Sequence, residues 1–106
     1  MERAVLVYAT YSSMVEAEQA SRQMVERRLA ASASIFPRIV SFSWHEGDLK
    51  RAEEAVAVFK TRSSISPALS AAIKECHSSL MAPILVVPVE GGDPGYHAWI
   101  VEETTA

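Results

Sequence analysis

Three side chains that bind soft metal ions lie within a few residues of one another. Cys76, His77 and Met81 carry a thiol, an imidazole and a thioether, and this combination suits Cu(I). Adjacent residues of a helix point about 100° apart, so Cys76 and His77 can chelate one ion only if the helix has ended there. The alternative is structural: Cys76 is a small buried residue, His77 caps a helix C-terminus and Met81 fills the core. A second subunit could add His45 or His97 to the metal-binding arrangement.

Lys60 is oddly placed for a polar residue, because it ends an otherwise apolar strand. Its ammonium group either extends to solvent beside the strand or lines a cleft between subunits. The sequence offers no nucleophile with a base and an orienting group nearby. The glycine-rich segment 90–95 lacks the Lys-Ser/Thr pair of a phosphate-binding loop and predicts a turn rather than an anion site. We therefore expect a protein that is not an enzyme.

Residues 29–61 read as two unusually long strands that fold back on each other at Glu46 and Gly47. Glycine accepts the positive φ that a tight hairpin turn needs. Beyond Pro37 the apolar residues alternate with polar ones, as one face of a strand requires. Those apolar residues are Val40, Phe42 and Trp44.

The length of this hairpin predicts an interface. An outgoing arm over residues 32–45 would be roughly 45 Å long at about 3.3 Å per residue, longer than the other predicted strands. The arm must therefore extend beyond its own sheet, and it exposes Phe42 and Trp44. We expect a second copy of the chain to cover them. The alternative is a bend at Pro37 that folds the tip back onto the same subunit.

The remaining elements follow from periodicity and turn signals. Residues 4–10 predict a central strand, and Pro88 places the last strand, 82–89, near a sheet edge. Tyr96 and Trp99 are expected to anchor a short helix that ends near Ile100. Two amphipathic helices are predicted between the strands, over 14–28 and from 62–64 to about 77–79, the second with Cys76 on its buried face. The order β-α-β-β-α-β with a short C-terminal helix is an α+β class of the ferredoxin-like plan.

Composition narrows the range of partners. The 106 residues predict one domain, 1–106, with a modest core. The net charge of −3 gives no basic surface, so no nucleic acid partner is expected. The longest apolar run is too short to span a bilayer, so no membrane partner is expected either. The single cysteine cannot form an internal disulfide, and we expect a cytoplasmic protein.

Short runs along almost the whole chain carry a family resemblance. They are ERRLAAS from Glu26, then Pro37, SFSW at 41–44 followed by Gly47, FKT at 59–61, IKECH ending at His77, VVPV, and a closing GGDPGYHAWI. In this order and spacing, the chain resembles the CutA family of divalent-cation tolerance proteins. The resemblance implies a ferredoxin-like subunit of a tight homotrimer, held together by the long hairpins and the terminal segment. It also implies a role in copper or other divalent-metal tolerance, with no required cofactor and copper or another divalent cation as a ligand.

In such a trimer, four aromatic residues are expected to pack between subunits: Phe42, Trp44, Tyr96 and Trp99. His77 aligns with a position implicated in metal binding, and Cys76 replaces a residue beside it. Other positions depart from the family pattern, in which cysteines, a Pro-Tyr pair and a Pro-Glu pair are frequent. These positions are Ala9, Ser32, Ser78, Ser79, Ala82 and Pro83.

A second function fits the same architecture. PII-like signalling proteins share a trimeric ferredoxin-like plan and bind small anionic ligands between subunits. Lys60 is the residue that would favour this alternative.

Overall fold

The computed structural model describes residues 2–105, which form four strands and three α-helices. The predicted α+β class and the predicted element order are confirmed. A short 3-10 turn, Ser63–Ile65, precedes the second helix. The elements are β1 (Ala4–Tyr11), α1 (Met14–Glu26), β2 (Ser32–His45), β3 (Asp48–Arg62), α2 (Ser66–Cys76), β4 (Ile84–Pro88) and α3 (Pro94–Glu103). None of the helices within residues 2–105 has the length and apolar character that crossing a bilayer requires.

The strands form one antiparallel sheet in the order β2-β3-β1-β4. β1 is central, as predicted, and β4 is at an edge, as Pro88 indicated. β4 is shorter than predicted, and Leu85, Val86 and Val87 are exposed. Both faces of this strand are therefore exposed in the described part of the chain, with Leu85 and Val87 on one side and Val86 on the other.

The core lies between one face of the sheet and helices α1 and α2. α1 begins at Ser13, whose Oγ accepts a hydrogen bond from the Glu16 backbone N–H at 3.2 Å, as an N-cap residue should. Small residues on its buried face let α1 approach the sheet closely. Burying one large apolar side chain contributes about 1.5–3 kcal/mol. The largest apolar side chains buried here are Val7, Met24, Phe59, Leu69 and Ile73.

The third helix lies against the opposite face of the sheet. Leu6 and Lys60 alternate with the core residues Val7 and Phe59, and they line a cleft together with Ile100 of α3. Ile100 is buried and is the anchor of this helix. Tyr96 and Trp99, the predicted anchors of this helix, are both partly exposed in the single chain. α3 is also longer than predicted.

Two arginines hold the C-terminal end of α3. The Arg62 guanidinium donates hydrogen bonds to the Thr104 carbonyl at 3.2 and 3.1 Å, and Arg28 pairs with the Glu103 carboxylate at 2.7 Å. Cations are favourable at this end of a helix, because its last carbonyl groups carry partial negative charge. These contacts fix a helix that is short for independent stability.

The hairpin is continuous to its tip. β2 and β3 remain paired as far as His45 and Asp48, and Glu46 and Gly47 form the turn with φ of 51° and 83°. Positive φ at both central residues is the geometry that hairpin turns of this length prefer. The longest dimension of the molecule is 44 Å. The alternative in which a bend at Pro37 folds the tip back onto the subunit is therefore wrong.

Pro37 instead lies in a β-bulge. Phe36 pairs with Val56 and Ile39 with Glu54, so β2 has one more residue than β3 in this interval. Side chains alternate between faces with a period of two, and one added residue reverses the alternation. Even-numbered residues of β2 therefore face one side of the sheet before the bulge and the other side after it, so Ile35 before the bulge and Val40 after it share the side of α1 and α2.

Beyond Tyr11, which pairs with Ala55, β1 no longer accompanies β3. We call residues 39–54, where β2 and β3 pair only with each other, the hairpin overhang. Three of its apolar residues, Val40, Phe42 and Trp44, lie on the side of the sheet that carries α1 and α2, because they pair with odd-numbered residues of β3, the set to which Phe59 belongs. Phe42 and Trp44 are 66% and 77% exposed.

Candidate functional site

The predicted donor group lies where α2 ends. The helix stops at Cys76, and His77 has an extended backbone with φ of −78° and ψ of 138°. The sequence condition for joint coordination by Cys76 and His77, that the helix has already ended, is therefore met. The positions of their side chains decide whether the donors can be used.

The His77 imidazole is held at both of its nitrogen atoms. Nε2 lies 2.7 Å from the Thr10 carbonyl oxygen, and Nδ1 lies 3.0 Å from the Ser79 backbone nitrogen. The Tyr11 ring stacks on the imidazole at a centroid distance of 4.8 Å and an angle of 25°. His77 therefore joins the last residues of β1 to the loop that follows α2.

The Glu16 carboxylate lies in the same junction. It accepts hydrogen bonds from the Ser78 N–H at 2.9 Å, the Ser78 hydroxyl at 3.0 Å and the Ser12 hydroxyl at 3.1 Å. Burial raises the pKa of Glu16, but the hydrogen bonds from Ser78 and Ser12 outweigh burial and hold the pKa below its ordinary value. Burial likewise raises the pKa of Tyr11 far above its ordinary value. Glu16 is thus an ionised acceptor that ties the loop to the start of α1.

The side chains of Cys76 and Met81 form no hydrogen bond with this network in the described residues. Cys76 is exposed, and its thiol donates to carbonyl groups of its own helix, Ala72 at 3.4 Å and Ile73 at 3.6 Å. The prediction that Cys76 belongs to the buried face of α2 is therefore wrong. Met81 is exposed as well, so it does not fill the core.

The donors do not fit a metal ion as they are arranged. Within residues 2–105, no three His, Cys, Asp or Glu side chains lie close enough together to hold a metal ion. The Glu16 carboxylate, which binds the loop beside His77, is occupied by hydrogen bonds from two serines. His45 lies at the exposed hairpin tip and His97 on α3, at separate places in the fold.

Sequence reasoning did not find Thr10, Tyr11 and Glu16 as partners of the loop after α2. Glu16 and Ser78 are 62 positions apart, and Thr10 and His77 are 67 positions apart. No local motif links them. The sequence indicates only that Glu16 lies in the first turn of the helix predicted over 14–28.

Lys60 lies in a cleft between the open face of the sheet and α3. The cleft has a volume of about 250 Å³, and Leu6, Tyr96 and His97 also line it. The Lys60 ammonium donates a hydrogen bond to the Ser34 hydroxyl on the neighbouring strand, and its side chain is half-buried. The ammonium therefore lies along the sheet rather than extending freely into solvent.

Of the two exposed aromatic residues of α3, Tyr96 lines this cleft and Trp99 stacks on Tyr96. The rings of Tyr96 and Trp99 stack on each other at a centroid distance of 5.6 Å and an angle of 19°. They are 48% and 40% exposed. Together with the hairpin overhang, they present aromatic surface that the single chain does not cover.

Comparison with known proteins identifies the family. The sequence model of the CutA1 divalent ion tolerance protein matches residues 5–103. The divalent-cation tolerance protein CutA of Archaeoglobus fulgidus is 36% identical over 96 residues, which are 91% of this chain and 93% of that protein. The mouse protein CutA is 34% identical over 88 residues, 83% of this chain. The chain spans half the length of the mouse protein.

Solved structures agree with the sequence matches. A structure described as the periplasmic divalent cation tolerance protein CutA from Archaeoglobus fulgidus has a TM-score of 0.92 at 33% identity, covering 96% of this chain and 99% of that one. The divalent cation tolerance protein CutA1 from Thermus thermophilus has a TM-score of 0.89 at 30% identity, covering 99% of this chain and 100% of that one. The resemblance predicted from the sequence is confirmed. The chain belongs to the CutA1 family of divalent ion tolerance proteins.

Proposed function

We propose that this chain is a ferredoxin-like subunit of a homotrimer that acts in tolerance of divalent cations, copper among them, without catalysing a reaction. Membership of the CutA1 family supports the role in tolerance. The observation that supports the proposed trimer is the exposed hairpin overhang. A lone domain that left Trp44 77% exposed beside Phe42 would present the kind of apolar patch that marks an interaction site.

The exposed apolar surfaces lie on opposite sides of the sheet. Phe42 and Trp44 are on the side of α1 and α2, whereas Phe36 lies before the bulge and faces the other side with its partner Val56. Leu85 and Val87 of β4 share that open face, because they pair with Tyr8 and Leu6. Five of these side chains are strongly exposed: Phe36, Phe42, Trp44, Leu85 and Val87.

Two different apolar surfaces favour a ring. An interface between unlike patches is heterologous, and repeated around an axis it closes into a cyclic assembly. A twofold dimer would need one self-complementary patch. In the proposed trimer, each overhang lies against a neighbouring subunit, and Tyr96 and Trp99 pack between subunits as well. Light scattering tests this: the proposal requires three times the mass of one chain at micromolar concentration, and a stable monomer would refute it.

A divalent cation is the proposed ligand, and none is required for the fold. Residues 2–105 hold no cluster of three His, Cys, Asp or Glu side chains within one chain, so in this proposal a bound copper or other divalent ion takes donors from more than one subunit. Calorimetry with Cu(I), Cu(II) and Zn(II) tests this part. If a sample already shown to be trimeric gave no heat of binding at high protein concentration, the proposal of cation binding would be refuted, and the proposal of a trimer would not be affected.

The PII-like alternative is not favoured by the family assignment. It rests on Lys60, which already contacts Ser34 of its own chain. The cytoplasm remains the compartment that the sequence predicts, although the Archaeoglobus relative is described as periplasmic. The absence of nucleic acid and membrane partners also remains a prediction.

A further inference from the structure

The hydrogen bonds of His77 determine where its proton lies. The Thr10 carbonyl oxygen can only accept a hydrogen bond, so Nε2, 2.7 Å away, must carry the proton. The Ser79 backbone N–H can only donate, so Nδ1, 3.0 Å away, must offer its lone pair. Only the neutral ring with the proton on Nε2 satisfies both contacts.

The contact with Ser79 separates a structural role from metal binding. A metal-bound histidine usually donates its other ring N–H to a carbonyl or carboxylate, so the bond to Thr10 is compatible with either role. A metal ion needs the Nδ1 lone pair, however, and the Ser79 N–H already uses it. Metal binding at Nδ1 would therefore require the hydrogen bond from the Ser79 N–H to break.

The surroundings of His77 keep Ser79 in place. The Ser79 hydroxyl donates to the Met81 carbonyl at 3.1 Å, and both polar groups of Ser78 donate to Glu16. Tyr11 covers one face of the imidazole. The loop therefore presents the Ser79 N–H to Nδ1 through several bonds that support one another.

We propose that His77 of this chain is a positioning residue that fastens the loop after α2 to the end of β1, and that it is not a metal ligand. The family resemblance marks His77 for metal binding, but in this chain its Nδ1 already accepts a hydrogen bond from the Ser79 N–H of the following loop. Any cation that the protein binds uses donors other than His77. This proposal does not depend on the trimer or on whether a cation binds at all.

Nitrogen-15 NMR of the full chain tests the proposal without any substitution. Two-bond correlations between ring protons and ring nitrogens report which nitrogen carries the proton. At pH 7.5 we expect His77 in the Nε2–H form, and exposed His45 serves as an internal comparison. A His77 ring with its proton on Nδ1 would overturn the proposal whether or not metal is present.

Zinc provides the second readout, because it is diamagnetic. On addition of one equivalent of Zn(II), the His77 nitrogen shifts should stay unchanged. A shift of a His77 nitrogen to a metal-bound value before those of His45 and His97 would refute the proposal. If the protein binds no zinc, the position of the His77 ring proton alone tests the proposal.

A pair of variants distinguishes the two roles by a different route. In His77→Asn the amide oxygen can still accept from the Ser79 N–H, whereas His77→Ala offers no acceptor. We expect His77→Ala to lower the melting temperature by several degrees and His77→Asn to recover much of that loss. Any Zn(II) affinity should change less than twofold in both variants. An equal stability loss in both variants together with a tenfold or larger loss of zinc affinity would show a ligand instead.

Discussion

Phe36 and Phe42 are six positions apart on one strand, yet they face opposite sides of the sheet. Phe36 pairs with Val56 and Phe42 with Arg51, and even and odd residues of β3 face opposite sides. An even separation on a regular strand places two side chains on the same face. The bulge at Pro37 reverses this relation and gives the chain two separate apolar surfaces, from which predictions about assembly follow.

Removing the largest exposed side chain of the overhang should weaken assembly. Trp44→Ser eliminates an aromatic residue of the kind that often contributes about 2 kcal/mol or more at the centre of an interface. We expect the mass measured by light scattering to fall from three chains toward one as the protein is diluted. Val15→Ser is the matched control, because Val15 is an exposed apolar residue on α1. A trimer equally stable in both variants would contradict the assignment.

The hairpin turn should depend on glycine at its second position. Gly47 has φ of 83°, where an added Cβ costs roughly 1–2 kcal/mol. Gly47→Ala should lower the free energy of unfolding by about that amount in urea denaturation at fixed protein concentration. Gly91→Ala is the control, since it has no positive φ and no atom within 4 Å of an added Cβ. Equal effects of both substitutions would argue against the turn geometry.

Acid should remove the contribution of Glu2 to stability. The Ser64 hydroxyl and the Arg62 guanidinium hydrogen-bond to Glu2 and lower the pKa of its carboxyl group. Because the pKa is lower in the folded state, this stabilisation is complete above the unfolded pKa, about 4.3, and is lost as pH falls through the folded value. The difference in melting temperature between the wild type and Glu2→Gln should be constant from pH 7 to 5 and shrink below about pH 4.

The control for this pH series is Glu18→Gln, which changes an exposed carboxylate of α1. Its melting temperature should follow the wild type across the same range. The prediction would be contradicted if the difference in melting temperature between the wild type and Glu2→Gln grew as the pH fell. That result would have the wrong sign for a carboxylate that is stabilised in the folded state.

Loss of Arg62 should loosen α3. Arg62→Leu removes the donors to the Thr104 carbonyl and to Glu2. Hydrogen bonds from a charged group contribute about 1.5–3 kcal/mol when part-buried. We expect faster amide hydrogen exchange over residues 94–105, measured by mass spectrometry, with little change in β1. Arg27→Leu, at an exposed position, is the control, and equal protection of α3 in both variants would contradict the proposed fastening.

Much of the fold could be predicted because its signals are local. Alternation identified the hairpin strands, Gly47 identified the turn, and Pro88 identified the edge position of β4. The reversal of faces at Pro37 could not be predicted, since it depends on how two residues of β2 pair with one of β3. The anchor of α3 was missed because Tyr96, Trp99 and Ile100 share similar spacing, and only packing selects Ile100.

The site was less predictable than the fold. The sequence predicted that α2 ends at about 77–79, slightly beyond its observed end at Cys76. The exposure of the thiol was not predicted, because apolar spacing alone does not show where packing against the core stops at a helix end. The partners of His77 come from β1 and from a backbone N–H. Residue types do not show which backbone N–H a side chain will contact, so only the structure shows that Nδ1 of His77 accepts a hydrogen bond.

A single guanidinium group, that of Arg62, binds both the Glu2 carboxylate and the Thr104 carbonyl. Residues 2 and 104 therefore meet at one corner of the molecule. Labels attached at these two residues would therefore lie side by side, although the residues are far apart in the sequence.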